Sequence, residues 1–88
     1  MAIPVDHTLK TWPQYFKAMY EGEKTFDVRK NDRDYQVGQR SFLVEFDPET
    51  AKYSGRSMLI QLTYILTDEF DGVADGYVVF GFQVLRRD

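Results

Sequence analysis

The chain contains no cysteine and only one histidine, His7, and these two shortages exclude several kinds of chemistry. Without cysteine there are no disulfides, no thiolate nucleophile and no thiol-ligated metal. With one imidazole, no metal cluster or Ser-His-Asp triad can draw on a second histidine. We therefore expect no metal and no cofactor, and we expect His7 to lie in the core or at its rim.

Long apolar runs are also missing. No stretch approaches the roughly 20 apolar residues that a helix needs to cross a bilayer. The first six residues lack the basic and apolar regions of a signal peptide. These absences predict a cytoplasmic protein with no membrane association.

Glycine and proline are few, at six and three residues, whereas 16% of the 88 residues are aromatic and 43% are hydrophobic. This composition is typical of a globular protein, and the length allows only one hydrophobic core. We predict a single domain over residues 1–88.

Charge is unevenly distributed along the chain. The net charge of −3 argues against a protein that grips nucleic acid by bulk electrostatics. Residues 24–40, however, carry five basic and three acidic side chains, a balance of +2, whereas residues 41–76 carry two basic and seven acidic ones, a balance of −5. The sequence therefore predicts a polarised molecule with a modest basic patch.

One segment has helical spacing. Pro13 is suited to the first turn of a helix, and Gly22 is typical of a residue just past its end. Between them, apolar residues recur at helical intervals and form one stripe: Trp12, Phe16, Met19 and Tyr20. We predict a helix of about ten residues that packs on a sheet, with Trp12 in the core.

The rest of the chain favours β-structure. Alternating patterns predict strands at residues 6–10, 25–30, 41–46, 56–66 and 77–85. A loop is expected from Asp47 to about Gly55, and an acidic surface loop over residues 68–76, whose spacing does not match a calcium-binding EF-hand. Gly81 is typical of a bulge or bend. The prediction is an α+β fold, with a curled sheet or small barrel of about five to six strands and one helix beside it.

Residues 22–33 concentrate charge next to the helix end. On strand alternation, Phe26 and Val28 share the face that anchors the fold, while Asp27 and Arg29 share the other face, about 6.5 Å apart. Such a pair can bind a base edge, because the guanidinium donates and the carboxylate accepts an exocyclic amine. It can equally be a structural ion pair that fixes the helix to the barrel. The sequence leaves both interpretations open.

Neighbouring side chains add candidate contacts. Lys24 can touch a phosphate or act as a base, although a solvated surface lysine is the ordinary alternative. Lys30 and Arg33 are candidates for phosphate contacts. Tyr15 and Tyr77 can offer stacking surfaces to unpaired bases, as can Trp12, for which core packing is favoured.

Several segments together resemble the DUF3850 family, which belongs to the ASCH domains of the PUA-like superfamily. The hallmark Gly-x-Lys-x-x-(Glu/Asp)-x-Arg is matched by Gly22, Lys24, Asp27 and Arg29, with aspartate where glutamate is usual. The other similar segments are residues 7–10, 15–16, 35–38, 46–49, 53–56, 63–66 and 76–79. The resemblance implies a PUA-like β-barrel with a helix beside it, and a cleft between them that binds RNA or a nucleotide-like ligand.

Three functions follow as hypotheses. The favoured one is a module that recognises a single-stranded or modified nucleic-acid element. The second, an amidohydrolase acting on N4-acetylcytidine, is implied by some bacterial ASCH relatives. Lys24 matches their lysine, but Asp27 stands at the place of their threonine and no late glutamate is evident. The third is a phage or mobile-element protein that binds a host protein. The chemistry of the run suits recognition better than turnover.

Overall fold

A computed structural model describes residues 4–88. Residues 1–3 of the predicted domain lie outside the described part. The described chain forms five strands and one helix, in the order β1 His7–Thr11, α1 Pro13–Tyr20, β2 Phe26–Lys30, β3 Arg40–Asp47, β4 Lys52–Leu66 and β5 Tyr77–Arg87.

The five strands form one mixed sheet in the order β1-β3-β4-β5-β2. β1 runs parallel to β3, and the other neighbours are antiparallel. The sheet curls into a half-barrel, which confirms the prediction of an α+β fold with a curled sheet. Its edge strands β1 and β2 face each other across a gap, which we call the seam. Two side-chain hydrogen bonds cross the seam, from Arg29 to Thr11 and from Arg33 to the Thr8 carbonyl.

A single apolar cluster fills the concave side of the sheet. Phe16 and Met19 of α1 are fully buried in it, so the helix packs on the sheet as its apolar stripe predicts. The other buried members of the cluster are Leu9, Tyr35, Leu43, Met58, Ile60, Leu62, Val78, Phe80 and Phe82.

The helix is shorter than predicted, at eight residues, and Trp12 is not in the core. Trp12 is 48% exposed and precedes the helix in an extended conformation, with φ −65° and ψ 148°. The prediction was wrong because helical spacing fixes a side chain's direction only inside the helix, and the first helical residue is Pro13. Gly22 follows the helix end with φ +83°, a conformation that glycine adopts without strain.

The β3–β4 connection is tighter than the predicted loop to Gly55. β4 already begins at Lys52, which pairs with Asp47. The register shifts between Val44 and Phe46, and Gly55 lies in β4 with φ +92°. This irregularity lets the hairpin continue past the glycine that the sequence pattern places at its turn. Next to Gly81, the register of β4 and β5 likewise shifts between Leu62 and Tyr64.

β2 alternates with period two as predicted, but its faces are reversed. Phe26 and Val28 are 49% and 53% exposed, whereas Asp27 is buried. Ion pairs stabilise the buried charge at Asp27, so β2 can turn its charged face toward the seam. Phe26 and Val28 lie instead on the convex face of the sheet, near the exposed Tyr64 and Tyr77.

A second ion pair lies within the sheet, between Glu45 of β3 and Arg56 of β4, and its arginine also contacts the helix. Arg56 donates from Nε and Nη2 to the buried Glu45, at 3.2 and 3.3 Å. The same guanidinium lies 5.3 and 5.0 Å from the rings of Phe16 and Tyr20. Burial raises the pKa of Glu45, but hydrogen bonds from Arg56 and Ser54 outweigh it, so that this pKa is lowered from its usual 4.5.

We expect Glu45→Gln to reduce the loss of stability in acid. A carboxyl with a lowered folded pKa stabilises the fold fully above its unfolded value of 4.5, and this contribution is lost as the pH falls through the folded pKa. Urea unfolding between about pH 7 and pH 3 should therefore show a flatter profile for Glu45→Gln than for wild type. Glu49→Gln, at an exposed position, is the control. Parallel profiles for wild type and Glu45→Gln would contradict the assignment.

Candidate nucleic-acid or nucleotide site

Two cavities open on the seam and share Lys10 and Arg29 in their walls. The first, here called the aromatic pocket, has a volume of about 300 Å³ and is lined mainly by Thr11, Trp12, Tyr15 and Asp27–Arg29. The second, here called the basic pocket, has a volume of about 420 Å³ and is lined mainly by Thr8, Lys30, Asp32, Arg33 and Tyr35. These volumes fall at the lower end of the range of ligand pockets.

The wall between the strands is an ion network centred on Asp27, which is 8% exposed. Its Oδ2 accepts a hydrogen bond from Arg29 Nε at 2.7 Å. Its Oδ1 accepts from Lys24 Nζ at 3.3 Å and from the backbone N–H of Val28 at 3.0 Å. Arg29 Nη2 in turn donates to Thr11 Oγ1 on β1, at 3.1 Å. The predicted meeting of Asp27 and Arg29 on one face is therefore confirmed.

The network has a structural role, but a different one from the predicted ion pair that fixes the helix to the barrel. The ion pair lies within β2, and the hydrogen bond from Arg29 to Thr11 joins it to β1 across the seam. It also forms part of the aromatic pocket, so both residues remain beside open space. Within residues 4–88, Arg29 Nε and Nη2 already donate to Asp27 and Thr11, and Nη1 has no partner. The guanidinium therefore cannot offer a base edge all of its N–H groups.

Lys24 is held inside the site and is not a freely solvated lysine. Its side chain is only 21% exposed, and its ammonium lies 5.0 Å from the Tyr15 ring and 5.3 Å from the Phe26 ring. Cation–π contacts of this kind add to the bond with Asp27. Lys24 is not one of the described residues that line the two pockets. Its role in the structure is therefore to hold Asp27 and Tyr15 in position through these contacts.

The aromatic pocket owes its name to Trp12 and Tyr15. Their rings stack at 6.1 Å between centroids with an interplanar angle of 23°, and both are about half exposed. Tyr15 was a predicted site residue. Trp12 was assigned to the core, and the signal that could have placed it here is Pro13, which marks the start of the helix one residue later. No sequence feature marks Thr11 as a site residue, because its hydrogen bond with Arg29 forms only where β1 approaches β2 in the fold.

The basic pocket gathers the predicted residues Lys30 and Arg33. Arg33 Nη1 donates to the Thr8 carbonyl at 3.3 Å. The pKa of Tyr35 is raised, mainly by burial and against the opposing charges of Arg29 and Arg33, so its phenol stays protonated at neutral pH. Tyr77 is elsewhere: it pairs with Lys30 in register and, among residues 4–88, is not part of either pocket wall.

Across residues 4–88 there is no group of three or more acidic or histidine side chains placed to hold a metal ion. His7 is occupied at the rim, where its Nε2 lies 2.8 Å from Gln39 Oε1 and its ring contacts Tyr35 edge-on. No helix in residues 4–88 has the length and apolar character needed to span a membrane.

Comparison with known proteins gives one finding. The model of a family described as Domain of unknown function (DUF3850) matches residues 6–82, a range that includes all of β1, α1 and β2 and therefore the whole seam. No curated protein matches the chain.

Proposed function

The chain belongs to the DUF3850 family, and we propose that it is a PUA-like module of the ASCH type that binds a single-stranded or modified nucleic acid, or a nucleotide-like ligand, in the seam. The observation that carries the proposal is the aromatic pocket. It places two exposed aromatic rings beside a guanidinium and a carboxylate whose positions are fixed by their own hydrogen bonds. Aromatic faces next to a few fixed polar groups are the usual means of holding an unpaired base.

The polar groups of the pocket retain some capacity for a ligand. An ionised carboxylate offers about four acceptor positions, and Asp27 uses three of them within the protein. Arg29 keeps Nη1 as a donor, and Lys10 brings a second cation to the wall. A base stacked on Tyr15 or Trp12 would therefore meet one acceptor position on Asp27 and the Nη1 donor of Arg29, enough for selection by a few contacts.

The charge distribution supports a ligand bound by few contacts. At a net charge of −3 the protein lacks the broad positive surface of proteins that bind nucleic acid without selectivity. The cations of the seam are instead confined to the walls of its two pockets. We accordingly propose RNA or a nucleotide as the ligand in the cytoplasm, with a moderate dependence of affinity on salt.

We expect Trp12→Ala to weaken binding of a fluorescently labelled single-stranded RNA pool about tenfold, because stacking contributes about 1–3 kcal/mol per base. Arg29→Ala should abolish detectable binding. Fluorescence anisotropy at low salt measures both, after circular dichroism has shown that each variant folds. Tyr64→Ala and Arg86→Ala, which change exposed residues outside the seam, are the matched controls.

Two results would count against the proposal. The first is a wild-type protein that binds neither the RNA pool nor any ribonucleotide at low salt. The second is binding that Trp12→Ala and Arg29→Ala leave unchanged.

The enzyme alternative is less favoured. An amidohydrolase that used Lys24 would need its amine to reach the substrate, whereas this amine donates a hydrogen bond to Asp27 and lies 5.0 Å from the Tyr15 ring. Glu45 is the buried glutamate of the described chain, and it is engaged by Arg56. Neither residue is poised in the open pocket for proton transfer.

A protein-binding role has one observation in its favour. The convex face of the sheet exposes a row of apolar side chains, from Phe26 and Val28 of β2 to Tyr64 of β4 and Tyr77 of β5. Exposed apolar residues grouped in this way often mark interaction surfaces. Capture of one protein in equal amounts by wild type and by Arg29→Ala would favour this second candidate over nucleic-acid binding.

A further inference from the structure

The basic pocket has an excess of unpaired positive charge. Its wall carries Lys10, Arg29, Lys30 and Arg33 against one carboxylate, Asp32. Arg29 is neutralised by Asp27. For the other three cations, no carboxylate of residues 4–88 lies within 4.0 Å. The Lys10 ammonium lies over the rings of Phe46 and Tyr53, at 4.7 and 5.9 Å, so Lys30 and Arg33 are the cations most available to a ligand.

Arg33 in the basic pocket differs from two arginines elsewhere in the structure, which form ion pairs. Arg56 and Arg86 each contact a carboxylate directly. Among residues 4–88, the hydrogen-bond acceptor of Arg33 is a neutral backbone carbonyl, that of Thr8, at 3.3 Å. Cations that surround a concave space without counter-charges create a positive potential there, which favours an anion.

The basic pocket continues into the aromatic pocket. Both include Lys10 and Arg29 in their walls, so the two spaces meet at these residues. A ligand with a flat group at one end and an anionic group at the other would fill both. Tyr35 adds a protonated phenol to the basic pocket, and a phenol can donate to an anionic oxygen.

Resting on the proposed function, we infer that the basic pocket is a phosphate subsite and that the ligand is a phosphorylated nucleotide or a strand, not a free nucleoside. Its base lies in the aromatic pocket. The adjoining phosphate lies beside Lys30 and Arg33, where charge-assisted hydrogen bonds hold it.

The test compares ribonucleosides with their 3′- and 5′-monophosphates and with dinucleotides, by isothermal titration calorimetry or NMR shift titration. We expect at least one phosphorylated form to bind ten times or more tightly than its nucleoside. A preference for monophosphates would identify a free nucleotide as the ligand, and a preference for dinucleotides would identify a strand. The double variant Lys30→Gln/Arg33→Gln should lose the preference and keep the affinity for the nucleoside. Arg33→Gln alone should lose part of it.

The matched control is Lys17→Gln/Arg86→Gln, which also removes one lysine and one arginine charge, but from exposed positions outside the seam. It should retain the preference for phosphorylated ligands. Equal affinities for nucleosides and nucleotides in wild type would overturn the subsite while leaving the proposed function in place, as would a preference that survives in the Lys30/Arg33 double variant.

Other outcomes bear on the proposed function itself. Inorganic phosphate that binds as tightly as any nucleotide, with no effect of Trp12→Ala, would support the subsite and overturn base binding in the aromatic pocket. Failure of nucleosides, nucleotides, dinucleotides and inorganic phosphate alike to bind would overturn both.

Discussion

Replacing Asp27 with alanine is expected to lower the free energy of unfolding by about 2–3 kcal/mol. The substitution leaves Lys24 and Arg29 next to each other without their counter-charge and removes the acceptor of the Val28 N–H. Breaking a fully buried ion pair costs about 3–5 kcal/mol, and the expected figure is smaller because the side chains of Lys24 and Arg29 remain 21% and 24% exposed. Urea unfolding followed by Trp12 fluorescence measures the change.

Two further variants separate charge from shape. Asp27→Asn keeps the size of the side chain and one acceptor oxygen, so it should cost less than alanine, although it loses the charge and places an NH2 donor next to a donor of the network. Asp88→Ala removes the exposed partner of Arg86 and should change stability by less than about 0.5 kcal/mol. If Asp27→Ala proved no more damaging than Asp88→Ala, the network would not contribute to holding β2 against β1.

The second large effect is expected at Phe16, which is the largest side chain that the helix buries completely. Phe16→Ala should cost about 3–5 kcal/mol, because it removes core contacts and leaves a cavity. It also removes a ring on which Arg56 lies. Chemical unfolding of the purified variant gives the magnitude, and in a chain of this size such a loss can leave much of the protein unfolded at 37 °C.

Tyr15→Ala is the matched control, since it truncates the neighbouring aromatic residue of the same helix, which is about half exposed. Its stability should stay within about 1 kcal/mol of wild type, while its ligand affinity falls. Equal destabilisation by the two variants would mean that the helix is not anchored through Phe16.

The elements that the sequence predicts well are those whose evidence is local. Alternation within β2 and β5, and the helical spacing of Phe16 and Met19, depend on neighbours a few residues apart. Asp27 and Arg29 are two residues apart, and the predicted meeting of these two on one face is confirmed, whereas the bond from Lys24 to Asp27 is an addition that the sequence analysis did not predict.

What the sequence could not predict depends on distant partners. Asp27 faces inward with two ion-pair partners, Lys24 and Arg29. Arg29 in turn donates to Thr11, which lies 18 residues before it on another strand. Hydrophobicity alone favours burying Phe26 and Val28, and the ion network reverses this preference. The basic pocket has the same origin, since Arg33 and Thr8 are 25 residues apart.

Trp12 shows a different limit. Its spacing to Phe16 fits a helix perfectly well, yet the helix starts after it. An apolar residue at the boundary of a periodic segment can therefore belong to a pocket wall, since the period assigns no direction to a residue outside the helix.

The Val28 N–H that Asp27 holds has a consequence for the whole sheet. Edge strands with unoccupied backbone groups are templates for pairing with another chain, and proteins commonly protect them with a covering element or with charge. Here β1 and β2 are both edges, and a covering strand would fill the seam. The Asp27 carboxylate accepts a hydrogen bond from the backbone N–H of Val28 in β2, and Arg33 donates one to the backbone carbonyl of Thr8 in β1. Charged side chains therefore bond edge groups that the backbone of a further strand would otherwise bond. This protection lets a groove stay open to solvent between two strand edges without inviting an added strand.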